Sequence, residues 1–385
     1  MDALAGLRVV DAAAVFAAPG AARYLADFGA DVIKVEPPSG DGVRRMGWLP
    51  TDGSDSYIWK LLGRNKRSVV IDLKTDAGRE AFLRICAGAD VLVENARPGT
   101  FERLGVGPDV VCARNPRLVM LRVTGFGQDG PYASRPGFAT MAEGMSGFAS
   151  INGEPGGAPL LPPVALTDEV AAIAGAFAVM VALRHRDRTG EGQVIDLNLL
   201  DAITQVLGAL PSAAAHLGYE QPRLGAGIPY TVPRGTYRCA DGRWVAISTS
   251  TDSVARRVLD LIGVGDDTRF ATFDGRAAHR TELDERVAAW VGARPSDEVM
   301  AAFEAADAAI APVYSVTELM ADPHVRAREV FREVGGIVMQ GPIARLSRTP
   351  AELRWPGRPL GADTEAVLGA DDPWTAAIDS TDASE

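Results

Sequence analysis

The chain has 385 residues, of which 47% are hydrophobic and 23% charged, as is ordinary for a soluble globular protein with a sizeable core. Its net charge of −11 argues against nucleic acid as a partner. Its three cysteines and four histidines form no disulfide framework and no metal-binding motif. The N-terminus lacks the layout of a signal peptide, and no apolar stretch is expected to span a membrane. Composition therefore predicts a cytoplasmic protein.

Strand and helix patterns alternate through the first half of the chain. Strands are predicted at residues 7–11, 31–35, 68–73, 90–93, 118–123 and 193–197, and helices at residues 21–28, 76–87 and 199–216. Such alternation predicts a parallel sheet, which binds ligands at the carboxyl ends of its strands. The first turn between strand and helix contains no G-x-G-x-x-G, and no Walker A motif occurs anywhere in the chain. The sequence therefore does not support binding of a nicotinamide dinucleotide or a nucleoside triphosphate.

Asp168 precedes a run of small and apolar residues, 170–183, that predicts a buried helix of about fourteen residues, too short to cross a membrane. A carboxylate at a helix start meets unpaired N–H groups and the positive end of the helix dipole, and both favour its ionised form. Such a group can be a helix cap, a general base or a nucleophile. Because Asp is a preferred N-cap, its position alone leaves all three roles open.

Basic residues concentrate in one early segment. From Arg44 to Lys74 the chain has seven basic and three acidic residues, a local balance of +4. All four lysines, Lys34, Lys60, Lys66 and Lys74, lie in the first 74 residues, whereas arginine is used elsewhere. A compact ammonium suits phosphate contacts, so the bias suggests a phosphate site. The alternative is that four residues cluster by chance.

The second half of the chain begins with a change of composition. Residues 219–235 are rich in glycine and proline, which is typical of a domain boundary. A hairpin is predicted at residues 235–248, with its turn at Asp241 and Gly242, followed by helices at 253–262, 280–291 and 296–305. We expect a large domain over residues 1–220, a small domain over 221–310 and a return to the large domain over 311–385. Residues 371–385 are polar and acidic, and we expect them to fray.

Several short segments form a recognisable series. In chain order they are LAGLRVVD (4–11), FGADVIKVEP (28–37), NKRS (65–68), DLKT (72–75), DVLVEN (90–95), GFG (125–127), GPY (130–132), the Asp168 block, RTGEGQ (188–193), APV (311–313) and DPH (322–324). Together they resemble the family III CoA-transferases, which include formyl-CoA and carnitine CoA-transferases and the α-methylacyl-CoA racemases. The resemblance implies an α/β fold, with a large Rossmann-like parallel-sheet domain built from both chain ends and a smaller α/β domain. It also implies an interlocked homodimer.

The resemblance places Asp168 where the transferases carry their catalytic aspartate. It implies that CoA and acyl-CoA are substrates, that a small carboxylic acid is the other substrate, and that no cofactor or metal is bound permanently. A carboxylate nucleophile can form a mixed anhydride and then an aspartyl-CoA thioester, which keeps the thioester's energy without ATP. The resemblance thus favours the nucleophile over the cap.

CoA contacts are implied at seven positions: Val15, Phe16, Arg44, Ile71, Lys74, Asn95 and Arg103. Pro37 occupies the place of an arginine common in the family, so Arg44 or Arg45 is expected to substitute for it. A residue such as Ile71 is more often part of the core than a ligand contact, and one such as Arg103 is more often a solvated surface charge.

A glycine-rich loop that shields the intermediates in the transferases is implied at Gly225 and Gly227. A plain linker turn is the alternative at this position.

Phe138 separates this chain from the racemases of the family. Those enzymes need a histidine shortly after the GPY motif, and Phe138 stands in its place and cannot move a proton. Glu169 remains an alternative base. Phe138, with Met141 and Met145, suggests an apolar acyl pocket, although core packing is the alternative. A non-catalytic CoA-binding protein is a further alternative, against which the intact Asp168 argues.

Overall fold

A six-stranded parallel sheet forms the centre of the larger of two structural units. The structure, a computed structural model, describes residues 2–377. The larger unit contains the chain up to Ser146, Pro162–Gly208 and the chain from Arg326 onward, whereas the smaller unit contains Gly147–Leu161 and Ala209–Val325. The small domain predicted over residues 221–310 is shorter than the smaller unit of the structure, which begins at Ala209 and ends at Val325. The smaller unit also includes Gly147–Leu161, which no feature of the sequence marks as separate from the large domain.

The sheet has the strand order β3-β2-β1-β4-β5-β6, and all its pairings are parallel. Its strands are β1 (Arg8–Asp11), β2 (Asp31–Glu36), β3 (Lys66–Val70), β4 (Val91–Glu94), β5 (Val119–Thr124) and β6 (Val194–Asn198). Most are buried along their length, as parallel strands covered on both faces must be. The six predicted strands are confirmed to within three residues at either end, and the strand order reverses between β1 and β4.

Helices cover both faces of this sheet or follow its strands. They are α1 (Ala17–Asp27), α2 (Tyr57–Leu62), α3 (Asp76–Ala87), α4 (Thr100–Arg103), α5 (Pro108–Arg114), α6 (Ala139–Met145), α8 (Leu166–Thr189) and α9 (Leu199–Thr204), whereas α7 (Phe148–Ile151) and α10 (Leu210–Leu217) belong to the smaller unit. Phe82 and Ile85 of α3 pack in the core against Ile33 and Leu92 of the sheet.

Two helix predictions need correction. The helix predicted over residues 21–28 begins earlier, at Ala17, so that Pro19 lies inside its first turn. A proline is tolerated there because its missing N–H would have no intrahelical partner. The predicted helix over residues 199–216 is interrupted at Gly208, which has φ +58° and separates α9 from α10.

Helix α8 has 24 residues rather than about fourteen. It continues through its polar end because Arg186 donates to Asp90 (2.7 Å), and it stops at Gly190, whose φ is +85°. At this length and composition it could cross a membrane, contrary to the expectation from the shorter run. This is weak evidence, since core helices share these properties, and α8 buries Ala171 and Val179 inside its unit.

The smaller unit contains a three-stranded antiparallel sheet with the order β7-β8-β9. Its strands are β7 (Arg234–Arg238), β8 (Trp244–Ser248) and β9 (Ile310–Pro312), and its later helices are α11 (Asp252–Leu261), α12 (Phe273–Ala278), α13 (Arg280–Gly292), α14 (Ser296–Ala305), α15 (Val316–Ala321) and α16 (Pro323–Ala327). The predicted hairpin and the three predicted helices are confirmed. Val245, Val258 and Phe303 form part of its core.

The returning chain completes the larger unit with β10 (Phe331–Val334), β11 (Ile337–Gln340) and α17 (Thr364–Gly369). It covers the free edge of β3, where the Ser68 N–H donates to Asp363 (2.8 Å). The expectation of a frayed end from residue 371 is wrong for residues 371–377. There Trp374 is buried, and its indole N–H donates to the Ile85 carbonyl (3.1 Å). The rest of that prediction, from residue 378, lies outside the described residues.

A buried ion pair joins α1 to the chain after α2. The Arg64 guanidinium donates from Nε and Nη2 to the two carboxylate oxygens of Asp27 (2.9 and 2.5 Å), and both side chains are about 1% exposed. We predict that Asp27→Ala lowers the free energy of unfolding by about 3–5 kcal/mol, because it leaves a buried guanidinium without its carboxylate.

Urea denaturation measures this loss. Glu80→Ala is the control, because it breaks an exposed pair with Arg114 that is worth less than about 1 kcal/mol. Equal losses in the two variants would contradict the importance of the buried pair.

Candidate active site

A cleft of about 480 Å³ opens at the carboxyl edge of the large sheet, where the strand order reverses. The loops after β1, β4 and β5 and the starts of α6, α8 and α9 line it. The lining residues are Ala14, Val15, Phe16, Ala17, Met46, Asn95, Ala96, Arg97, Pro98, Val123, Thr124, Gly125, Ala133, Arg135, Pro136, Gly137, Phe138, Ala139, Thr140, Asp168 and Leu199. This is the edge at which parallel sheets bind ligands.

Asp168 lies in the first turn of α8, but it is not the helix cap. The N-cap is Ala165, and no side chain caps this helix. Burial raises the pKa of the Asp168 carboxyl, and together with the negative charges of Glu143 and Glu169 it brings the pKa to about 6. The expectation that the helix start would favour the ionised form is therefore wrong, because burial and like charge outweigh the dipole. With a pKa of about 6, the Asp168 carboxyl is easier to protonate than an ordinary aspartate but is mostly ionised at neutral pH.

Glu143 is a second carboxylate beside Asp168. It lies on α6, is 4% exposed, and accepts a hydrogen bond from the Thr167 hydroxyl (2.9 Å). Within residues 2–377 no lysine, arginine or histidine forms an ion pair with it. Its effect on the neighbouring Asp168 is therefore not offset by an attached cation.

The Glu169 carboxylate is hydrogen-bonded to two side chains of α1. Arg23 Nη2 donates to Glu169 Oε1 (2.9 Å), and the Tyr24 hydroxyl donates to the same oxygen. Burial and the hydrogen bond to Glu169 raise the pKa of Tyr24 to about 12. One oxygen of Glu169, Oε1, is thus engaged by Arg23 and Tyr24, which weakens the alternative that Glu169 serves as a base.

The structure brings together five of the residues singled out from the sequence. Val15 and Phe16 follow β1, Asn95 follows β4, and Phe138 precedes α6, and all four line the cleft with Asp168. Phe138 is 62% exposed, so core packing is not its role in this chain.

Two predicted CoA contacts lie in the interior instead. Arg44 is buried, donates to Glu36 (2.7 and 2.6 Å) and to Asp55 (2.6 Å), and stacks on Trp59. Ile71 is 4% exposed in the hydrophobic core. Neither side chain lines the cleft.

The other predicted positions lie outside the cleft lining. Lys74 and Arg103 are exposed, and Arg103 donates to Thr100 (3.0 Å). Gly225 and Gly227 lie in the smaller unit. Gly225 has φ +58°, and its N–H donates to the Gly153 carbonyl (2.9 Å).

The early basic segment is not a surface patch. Arg64, Lys66 and Arg67 are 1–2% exposed, and each is paired with a carboxylate of Asp27, Asp11 or Asp31. Lys34 is also buried, between Asp11 and Asp41 (3.6 and 3.2 Å). Two of the four lysines therefore serve as compact internal cations, and the phosphate interpretation does not apply to them.

Sequence reasoning missed Glu143, Thr167 and Asp41. Glu143 and Thr167 carry little signal, because a glutamate in a short helix and a threonine before Asp168 are both ordinary. Asp41 stands in a Gly-Asp-Gly sequence, which is typical of an exposed turn, although its carboxylate is buried. Within residues 2–377, no group of three or more His, Cys, Asp or Glu side chains could hold a metal ion.

Comparison with known proteins gives a consistent result. A profile described as CoA-transferase family III matches residues 4–364. The chain is 39% identical over 377 residues to the succinyl-CoA–L-malate CoA-transferase beta subunit of Chloroflexus aurantiacus, covering 95% of this chain and 93% of that protein. It is 35% identical over 381 residues to the succinate–glutarate CoA-transferase of Agrobacterium fabrum, covering 95% and 94%. A CaiB/BaiF family protein from Brucella suis superposes with a TM-score of 0.86 at 32% identity, covering 96% and 99%.

The charge of Glu143 should be visible in the titration of Asp168. We predict that Glu143→Gln moves the titration midpoint of Asp168 from about 6 to a lower pH, because one source of repulsion is removed while burial remains. The midpoint can be read from the pH dependence of carbodiimide labelling of the Asp168 peptide, since the reagent needs a protonated carboxyl. Asp187→Asn, at the far end of α8, should leave the midpoint unchanged. A midpoint that is the same in all three proteins would remove Glu143 from the electrostatics of the cleft.

The raised pKa also predicts a stability cost. An acid whose pKa is higher in the folded state than the ordinary 3.8 costs no stability below about pH 4, and its full cost is reached above about pH 6. At about 1.4 kcal/mol per pKa unit, we expect Asp168→Asn to stabilise the protein by about 1–3 kcal/mol at pH 7.5 and by little at pH 4. Urea denaturation at the two pH values tests this, and a destabilised variant at pH 7.5 would contradict it.

Proposed function

The chain belongs to CoA-transferase family III and is a CoA-transferase, and we propose that Asp168 is the nucleophile through which CoA passes. The supporting observation is a half-buried carboxylate with a raised pKa at the start of α8, in a cleft at the carboxyl edge of the sheet. The further steps follow from the chemistry of a carboxylate and a thioester.

In the first half-reaction the Asp168 carboxylate attacks the carbonyl carbon of the acyl-CoA. The C–S bond breaks, CoA leaves as a thiolate, and a mixed anhydride of Asp168 and the acyl group forms. The thiolate then attacks the Asp168 carbonyl of the anhydride. This releases the donor acid, which takes one oxygen from Asp168, and leaves an aspartyl-CoA thioester.

The second half-reaction repeats these steps with the acceptor. The acceptor carboxylate attacks the thioester and expels CoA, which gives a second mixed anhydride. CoA thiolate attacks the acceptor's carbonyl, so that the new acyl-CoA forms and Asp168 regains a carboxylate with one oxygen from the acceptor. No ATP is needed, because each intermediate conserves the energy of the thioester.

The electrostatics of the cleft suit this route. Burial and Glu143 disfavour a negative charge on Asp168. The anhydride and the thioester are uncharged at this side chain, so the same environment favours the covalent intermediates over the free carboxylate. N–H groups in the first turn of α8 lack intrahelical acceptors and are suited to a developing oxyanion.

The cleft lining also suits CoA, which is a substrate and not a permanently bound cofactor. We assign Val15, Phe16 and Asn95 to the wall beside the thioester, and Phe138 to the acyl side. Arg97 and Arg135 line the same cleft and supply positive charge. If Lys74 and Arg103 contact CoA, they do so through its phosphates outside the cleft, because both are exposed and neither lines it. Gly225 and Gly227 remain candidates for the shielding loop.

Small dicarboxylic acids are the substrates to test first. The names of the two relatives above pair succinyl-CoA with malate and succinate with glutarate, and a third relative, from Acetobacter aceti, is called acetyl-CoA:oxalate CoA-transferase. On that basis we propose succinyl-CoA as donor and a short dicarboxylate as acceptor.

We propose that the chain works in the cytoplasm as an interlocked homodimer. Supporting observations are a second cavity of about 480 Å³ between α1, α8 and the returning chain, which is lined almost entirely by apolar groups, and the 71% exposure of Phe177 in its lining. Leu217 on α10 is 80% exposed. Because the Chloroflexus relative is named as a beta subunit, pairing with a second related chain is the outcome that would replace the homodimer.

The covalent role of Asp168 can be tested by trapping. With succinyl-CoA and hydroxylamine, we predict that Asp168 is converted to a hydroxamate, because an anhydride or a thioester at this carboxyl is an electrophile. Mass spectrometry of the Asp168 peptide detects the product. Asp168→Asn should lose CoA transfer by at least about a thousandfold and still bind CoA. Asp187→Asn is the matched control on the same helix and should behave as wild type.

A proton-transfer reaction would give a different result. With Phe138 in the cleft, a 2-methylacyl-CoA incubated in heavy water should not take up deuterium at its α-carbon. Rapid deuterium uptake without a trapped Asp168 would overturn the transfer mechanism in favour of epimerisation.

A further inference from the structure

The turn between β1 and α1 has an unusual backbone conformation. Val15 has φ +69°, in the left-handed region that β-branched residues rarely adopt. The other non-glycine residues with positive φ among residues 2–377 are Asn65, Asp307 and Glu329, none of them β-branched. Val15 and the following Phe16 line the cleft with Asp168. A strained residue in a cleft wall needs surrounding contacts that hold it there.

Those contacts come from side chains on three sides of the turn. The Asn95 amide bonds both polar groups of Ala14, since Oδ1 accepts from the Ala14 N–H (2.8 Å) and Nδ2 donates to the Ala14 carbonyl (2.6 Å). The Asp41 carboxylate accepts from the Val15 N–H (3.3 Å to each oxygen). Asp11 accepts from the Ala13 N–H (3.1 Å).

Of the three side chains that hold the turn, Asn95 is the one that lines the cleft. It follows β4, on the other side of the strand-order reversal from the loop that carries Asp41. Both of its polar atoms are engaged by the backbone of Ala14, so its side chain ties the end of β4 to the turn after β1. Because the Asn95 amide is engaged in this way, we do not assign it a direct hydrogen bond to CoA.

We infer that Asn95 is a positioning residue, which acts on CoA binding by holding Val15 in its left-handed conformation. The inference rests on the proposed function for the assignment of this wall to CoA. Without the Asn95 amide, residues 13–16 relax toward an ordinary backbone conformation, and Val15 and Phe16 leave the positions that form the wall. Asp41 restrains the next N–H along the chain, but it also pairs with the buried Lys34, so its removal would disturb the interior as well.

A double-mutant cycle separates positioning from contact. The proteins are wild type, Asn95→Ala, Val15→Gly and the double variant, and calorimetry with CoA gives the dissociation constant of each. Asn95→Ala is expected to weaken CoA binding at least tenfold. Val15→Gly removes a side chain of the proposed CoA wall and so has an effect of its own, but glycine adopts a positive φ without strain and does not need the Asn95 amide to hold it there. In the double variant, Asn95→Ala should add less than about threefold to the effect of Val15→Gly.

Two outcomes would overturn the inference. Tenfold losses in both the valine and the glycine background would mean that Asn95 contacts CoA directly. CoA binding as tight as wild type in Asn95→Ala would mean that the amide serves the fold alone, whatever happens to the melting temperature. The cycle reads binding and not transfer, so it decides the role of Asn95 even where the trapping experiment at Asp168 fails.

Discussion

The close packing of α8 against α1 sets the position of the groups around Asp168. A Cβ atom on Gly20 would lie 2.8 Å from Cβ of Ala172, and one on Gly175 would lie 3.2 Å from Cβ of Ala21. Small residues therefore let the two helix backbones approach over the sheet. That approach places the first turn of α8 at the cleft and lets Arg23 and Tyr24 of α1 reach Glu169. In the same turn of α8, Thr167 donates to Glu143 of α6. A larger side chain at Gly20 would displace the carboxylate together with its surroundings.

Buried charged groups next to this helix contact also help to fix the positions of the surrounding elements. Lys66 donates to Asp11 (2.8 Å) and to the Pro19 carbonyl (2.7 Å), so that one ammonium joins β1, β3 and the start of α1. Burial lowers the pKa of Lys66 to about 8, although the Asp11 carboxylate opposes that shift. Such a network stabilises little by itself, because desolvation offsets most of the attraction, but it specifies one arrangement of the loops. We infer that this single arrangement of the loops determines the geometry of the cleft.

The sequence predicted the sheet well, because buried parallel strands are continuous apolar runs that glycine and proline interrupt. It also singled out Asp168, although the evidence for its role came from the resemblance and not from spacing. The sequence did not reveal which charged side chains are buried. The basic residues suggest a phosphate site or a CoA contact, yet Arg44, Lys34 and Lys66 are each enclosed with a carboxylate, that of Glu36, Asp41 or Asp11. The raised pKa of Asp168 was missed for the same reason, since Glu143 reaches it through tertiary packing.

The central claim is that the oxygen atoms of Asp168 take part in the transfer. One measurement addresses it directly: turnover with succinyl-CoA and a dicarboxylate acceptor labelled with ¹⁸O in its carboxyl groups, followed by mass spectrometry of the Asp168 peptide. The mechanism predicts that one ¹⁸O atom appears in the Asp168 carboxyl after a single turnover and up to two after many, because the acceptor's anhydride is cleaved at the acceptor carbonyl in every turnover. Complete turnover with an unlabelled Asp168 would contradict the account, since CoA would then have passed between the acids without a covalent bond to this side chain.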